Sequence, residues 1–205
     1  MKRVGFIALL ALWPALNALP AATDDALLDR IAAGLSHSAV LHAEFIQTKT
    51  VAALTRPIVT SGRFVYARQQ GVSWKIERPY RATYLLTDTG VTELDAGGAP
   101  VRSADQGPAL QHVSRIFRAL LEIDFQTLEQ YFVPTASGDA SRWELTLAPR
   151  GPLRQVFKSV RVRGGRFVEA LTLDESNGDK MEIRFLAIRE AVALEADELR
   201  ARRRE

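Results

Sequence analysis

The sequence predicts an α+β domain, a curved antiparallel sheet or half-barrel with helices segregated to one face. Three observations lead there. Short runs with period-two alternation recur along the chain. Two helical patterns interrupt them midway, so strands and helices come in blocks and do not alternate as in a doubly wound fold. The strand faces that would point inward are heavily aromatic (Phe64, Tyr66, Trp74, Tyr84, Trp143 and Phe185), and such a face must be covered. At 205 residues, with 47% hydrophobic and 25% charged residues, the chain has the composition of one globular domain.

The first segment reads as a signal peptide over residues 1–21. Lys2 and Arg3 precede an apolar run from Val4 to Trp13, Pro14 breaks it, and small residues follow at Ala18, Ala21 and Ala22. A membrane-spanning helix needs about 20 apolar residues, and Pro14 and Asn17 interrupt too early. Residues 22–205 are then the mature domain. Without Lys2 and Arg3 it carries 25 basic and 24 acidic residues, which removes the electrostatic case for nucleic acid. The chain has no cysteine, which excludes disulfides, thiolate metal sites and thiol catalysis. A bacterial-looking leader with no cysteine points to the periplasm.

Asp24 to Leu35 shows Leu27, Leu28, Ile31 and Leu35 on one side of a helix, with acidic residues at its start. His42 to Lys49 reads as a strand around Phe45. Arg56-Pro57 marks a bend. Gly62 to Arg68 alternates, with Phe64, Tyr66 and Arg68 on one face, and Gln69-Gln70-Gly71 makes a turn. Trp74 and Ile76 share a face in the next strand, which Pro79 ends. Short strands follow over Thr83–Leu86 and Val91–Leu94, on either side of Asp88-Thr89-Gly90. Gly97-Gly98 and Gly107-Pro108 bracket a loop. Pro108 to Glu122 then repeats at helical spacing through Leu110, Val113, Phe117, Leu120 and Leu121, and a second helix runs from Phe125 to Phe132, closed by Pro134. Strands resume at Trp143, Leu145 and Leu147, then over Val156–Val162, Phe167–Leu173 and Met181–Phe185. Asn177-Gly178 forms the hairpin turn between the last two. The tail from Ala191 to Glu205 reads as helix.

Catalytic signals are thin. His37, His42 and His112 form no metal-ligand spacing and read as surface or capping residues, so no metal or other cofactor is expected. Ser114 lies near His112 but has no nucleophile-elbow context, so a hydrolase would need partners distant in sequence. Gly97-Gly98 lacks the lysine of a phosphate loop. Asp174 to Asp179 lacks the spacing of a calcium loop and reads as a solvated turn. Arg200, Arg202, Arg203 and Arg204 read as a solvated chain end.

One stretch carries more. Phe45-Ile46-Gln47 is followed by a glycine-led strand, Gly62 to Arg68. Next come Trp74-Lys-Ile-Glu-Arg-Pro79 and a strand running from Tyr84 to Asp88. In order and spacing this resembles the LolA family of periplasmic outer-membrane lipoprotein carriers, as a divergent branch. Gln69 stands where the family has proline, and its Asp-Gly is opened to Asp88-Thr89-Gly90. The resemblance implies an incomplete β-barrel closed by a helical lid, with acyl chains held between them. It implies a non-enzymatic carrier, a monomer, that takes acylated lipoprotein or lipid cargo from an inner-membrane exporter to an outer-membrane acceptor. The lining would come from Phe64, Tyr66, Trp74, Ile76, Tyr84, Leu86, Phe117, Leu120, Leu121, Trp143, Leu145, Met181, Ile183 and Phe185. Arg68, on the face of Phe64 and Tyr66, would correspond to the family's latch between sheet and lid. Two other roles remain open: an envelope sensor or scaffold that binds a protein along a sheet edge, and an acyl hydrolase.

Overall fold

The computed structural model describes residues 24–35, 37–87, 90–96, 98–103, 108–195 and 198–199. The segment read as a signal peptide, Asp88, Thr89, Gly97, Gly107 and the arginines from Arg200 onward lie outside them. The chain opens with helix α1 (Asp24–Gly34). Six strands follow: β1 (Val40–Thr50), β2 (Ile58–Ala67), β3 (Gly71–Arg78), β4 (Ala82–Thr87), β5 (Gly90–Leu94) and β6 (Pro100–Ser103). Helices α2 (Pro108–Glu122) and α3 (Phe125–Tyr131) come next. The rest is β7 (Phe132–Asp139), β8 (Arg142–Pro149), a 3-10 turn (Gly151–Gln155), β9 (Phe157–Gly164), β10 (Val168–Glu175) and β11 (Lys180–Ala191).

All strands belong to one antiparallel sheet, in the order β6-β5-β4-β3-β2-β1-β11-β10-β9-β8-β7. It does not close into a barrel: β6 and β7 are its two edges. Within each half, every strand pairs with its neighbour in sequence. The halves join through β1 and β11, in a register from Val40 opposite Ala191 to Thr50 opposite Lys180. Because β6 and β7 adjoin in sequence but lie at opposite edges, the chain between them must travel across the sheet. It does so as α2 and α3, which therefore cover the face and form the lid of the α+β architecture expected above.

One continuous core fills the space beneath the helices. Leu27, Leu28 and Ile31 of α1 and Leu35 just after it join the core, with Phe45, Trp74, Leu120, Leu128, Phe132, Leu145 and Leu171. At the joint between α2 and α3, buried Ile123 takes a left-handed backbone (φ 48°), costly for a β-branched residue. Asp124 then caps α3, its carboxylate accepting the Thr127 N–H at 3.2 Å.

Several expectations need correction. The second helix ends at Tyr131, and Phe132 begins a strand. Pro134 does not close the helix but sits within β7, tolerated because that strand is an edge and has a ladder on one side only. β6 occupies part of the predicted glycine-flanked loop. β1 and β11 are longer than predicted. Ala191 ends β11 rather than starting a helix, and helical backbone in the described tail appears only at Glu198 and Leu199.

Gly62 is where the close packing of β2 on β3 is most exposed to test. A side chain there would meet the Lys75 carbonyl at 1.9 Å, beside a register shift between Ser61 and Gly62. Backbone cannot yield as a side chain can, so Gly62→Ala is expected to destabilise by about 1–3 kcal/mol. Gly34→Ala, whose nearest new contact is 3.8 Å away, should change stability by less than about 1 kcal/mol. Urea unfolding of the two variants checks the contrast.

Candidate functional site

On the inner face, alternation in β1, β2, β3 and β11 brings Phe45, Phe64, Trp74 and Phe185 together. Trp74 is the hub. Its ring centroid lies 4.0 Å from Phe45, 5.9 Å from Phe64 and 6.2 Å from Phe185. It also lies 5.9 Å from Phe117, which projects down from α2, and the two rings meet edge to face. The lid is thus seated on the sheet by an aromatic contact at its centre.

The predicted lining residues divide. Phe64, Tyr66, Trp74, Ile76, Leu120, Ile183 and Phe185 are buried, and Tyr84, Leu86, Phe117, Leu121 and Met181 are half-buried against the same core. Trp143 and Leu145 are buried too, but on β8, in the wing of the sheet where α1 packs on the neighbouring β7. There the Trp143 indole N–H donates to the Gly165 carbonyl at 2.9 Å. Sequence reasoning left out Phe45, although it is part of the Phe-Ile-Gln motif and makes the shortest ring contact.

Arg68 is not where its strand parity put it. β2 ends at Ala67, so Arg68 lies in the following turn, exposed, with its backbone N–H donating to the Ala39 carbonyl at 2.9 Å. The contact between sheet and lid comes instead from its neighbour. The Tyr66 hydroxyl donates to the Glu122 carboxylate, at the last residue of α2, at 2.6 Å. Arg118, one turn earlier, stands 3.9 Å from the same carboxylate. A second tether lies nearer the middle of the helix: buried Ser114 donates through Oγ to the Gly90 carbonyl of β5 at 3.2 Å. Ser114 is thereby a structural donor with no exposure to a substrate. Burial, then the bond to Glu122 and its charge, push the Tyr66 phenol well above its ordinary value, so it remains a donor across the physiological range.

These rings leave little space. The apolar cavity between Phe64, Tyr66 and Phe185 below and Leu121 above measures only about 20 Å³. The opposite, outer face carries a larger groove of about 610 Å³ with mixed polar and charged walls. Its floor is Glu44, Arg63, Ser73 and Lys75, and Glu195 and Glu198 of the C-terminal segment lie along its side. His42, read from sequence as a surface or capping residue, is buried here. Its Nδ1 is 3.4 Å from Glu198 and 3.5 Å from the Arg189 guanidinium, and its Nε2 has no partner. His37 is exposed.

Against known proteins, a family model described as outer membrane lipoprotein carrier protein LolA-like matches residues 18–191. No curated protein matches the chain. Among solved structures, a MucB crystal structure is 13% identical, with a TM-score of 0.52 over 88% of this chain and 63% of that one. The Pseudomonas aeruginosa MucA/MucB complex gives 14% identity and a TM-score of 0.50 over 87% and 60%. A LolA superfamily protein from Nitrosomonas europaea gives 9% and 0.47 over 85% and 96%. The chain therefore spans less than two thirds of the two MucB-containing matches. At these identities the likeness is one of fold.

Tyr66→Phe isolates the sheet-to-lid bond. A hydrogen bond to a charged group is worth about 1.5–3 kcal/mol, but Glu122 is partly exposed and regains water, so a loss of about 1 kcal/mol is expected. An acid whose folded pKa is raised adds stability that is complete below its unfolded pKa, about 10 for tyrosine, and is lost as pH rises toward the folded value. Urea midpoints of the parent should therefore fall more steeply above about pH 10 than those of Tyr66→Phe. Parallel curves would show that the bond does not set this dependence.

Proposed function

This chain belongs to the LolA-like family of outer membrane lipoprotein carrier proteins, and we propose that it is a periplasmic carrier for acyl chains. The cargo is an acylated lipoprotein or a lipid, received from an inner-membrane exporter and passed to an outer-membrane acceptor. The role is binding, without catalysis. The observation that carries this reading is the aromatic face of Phe45, Phe64, Trp74 and Phe185, sealed by a helix that rests on it through Phe117. Rings fill a closed interior yet leave an apolar surface when one wall lifts. Among the described residues, no helix is long and apolar enough to cross a membrane.

The small volume beneath the lid supports an opening mechanism. Ligand pockets hold about 300–1,000 Å³, far more than the cavity of about 20 Å³ beneath Leu121, so in this reading cargo is admitted by movement of α2. Side-chain hydrogen bonds that would have to break include those of Tyr66 and Ser114. Strained Ile123 offers a pivot at the far end of α2. Each methylene withdrawn from water contributes about 0.8 kcal/mol, so a long chain repays the opening and a short one does not. Arg68, exposed beside Tyr66, is close enough to act on the phenol electrostatically, lowering its pKa against the larger upward effects. In this reading it biases the Tyr66–Glu122 tether instead of forming a latch itself.

Purified residues 22–205 should take up a fluorescent fatty acid with affinity rising steeply with chain length. Tyr66→Phe, with a lid that opens at lower cost, should bind about fivefold more tightly. A protein that ignores C12 to C18 probes in both forms would defeat the carrier reading.

A second reading is favoured by the outer groove, whose charged walls suit a polar protein segment better than a hydrocarbon. It would make the protein an envelope sensor or scaffold, in line with the fold it shares with MucB, which is solved bound to MucA. Loss of partner capture by Lys75→Glu, with acyl uptake intact, would favour it.

A further inference from the structure

The exposed large apolar side chains are not scattered evenly. Of nine such residues among those described, five (Leu54, Ile58, Val59, Tyr80 and Val156) stand at one end of the sheet. The first three are on the β1–β2 hairpin, which overhangs that end: β2 pairs with β1 from Ile58 onward, but with β3 only from Ser61. Tyr80 is in the adjacent β3–β4 turn. The Ser176–Asp179 turn joins the hairpin to Val156: Asp179 accepts the Ala52 N–H at 2.9 Å, and the Ser176 N–H donates to the Val156 carbonyl at 2.9 Å.

The charge on the two loops at this end is one-sided. The two loops carry Arg56, Arg78 and Arg81, all exposed, and residues 51–58 and 78–81 contain no carboxylate. Acids flank the two loops and are held by other groups, Asp95 of the neighbouring β5–β6 turn by the Ala99 N–H at 2.8 Å. Glu77 holds Arg63 at 2.8 Å, and Glu175 and Asp179 hold Lys49 at 3.1 and 3.7 Å. Each of the four apolar side chains on the two loops is about half exposed (48–52%), beside cations with long flexible stems. That combination fits one surface chemistry. A shallow apolar tip or a few cations alone hold a protein to a bilayer only marginally, whereas the two together act as paired anchors. Tyrosine and arginine both suit the headgroup layer, with ring or stem in the apolar boundary and the polar end among phosphates.

We infer that this end of the sheet docks on an anionic phospholipid surface. Leu54, Ile58, Val59 and Tyr80 enter the headgroup boundary, and Arg56, Arg78 and Arg81 meet the phosphates. The inference does not rest on the carrier reading, since it needs no cargo cavity.

Vesicle flotation tests it on residues 22–205, which contain every described element and lack the apolar leader that would itself bind lipid. The protein should float with phosphatidylcholine vesicles containing phosphatidylglycerol, much less with phosphatidylcholine alone, and less again as salt rises. The triple substitution Arg56→Gln, Arg78→Gln and Arg81→Gln should weaken partition by roughly fivefold per arginine, on the order of 100-fold in all at low salt. Leu54→Ser with Val59→Ser should weaken it at all salt concentrations. Unchanged circular dichroism of these variants excludes misfolding. Absence of vesicle binding, equal binding to neutral vesicles, or binding unaltered in both variants would overturn the inference. Acyl uptake without vesicle binding would do so while leaving the carrier reading intact.

Discussion

The placement of two consecutive strands governs this structure. β6 and β7 are consecutive strands yet form opposite edges of the sheet, and the segment between them links the two as α2, packed on β4 and β5, and α3, packed on β7. A polypeptide crossing an apolar surface must satisfy its own backbone hydrogen bonds, and helices do this without help from the surface beneath. The lid thus joins one edge to the other, and its sequence supplies the chemistry: Phe117, Leu120 and Leu121 downward, and Ser114 and Glu122 at points where it is tied to the sheet.

The interior so covered is closed by ring contacts and fastened by polar ones. Trp74 makes contact with four other rings, one of them on the lid, and side-chain hydrogen bonds from Tyr66 and Ser114 tie α2 to the strands. The burial of apolar surface that these contacts bring is non-directional and can be regained against a hydrocarbon surface that replaces them. The two hydrogen bonds cannot be replaced in that way, so they decide which position the helix occupies. A neutral phenol held against a carboxylate suits this task because it stays protonated across the physiological range.

Local pattern made much of this legible. The bounds of α2 were readable from Pro108 and the helical spacing of Phe117, Leu120 and Leu121, and the inward face of β3 from Trp74 and Ile76. β7 was not, because its outward and inward positions (Val133, Pro134, Thr135, Ala136, Ser137, Gly138) carry no apolar alternation, as an edge with half-exposed faces permits. The parity argument for Arg68 failed by one residue: the ladder stops at Ala67, and beyond it the alternation of faces no longer applies. The Tyr66–Glu122 bond spans 56 positions and two different elements, so spacing alone could not suggest it. Nor could the clustering of Leu54, Tyr80 and Val156, which sheet register creates from three separate turns.

The seam between β1 and β11 has a consequence for how the chain is made. Both halves are built from hairpins between neighbours and can assemble as they are synthesised. The one long-range pairing joins the first strand to the last. Until residue 191 has emerged, the nascent amino-terminal half presents the open flank of β1, with unpaired amides and carbonyls along eleven residues. Such a late, distant closure is slow and leaves a sticky intermediate. Holding the polypeptide unfolded until its final strand is available would therefore guard this architecture against mispairing.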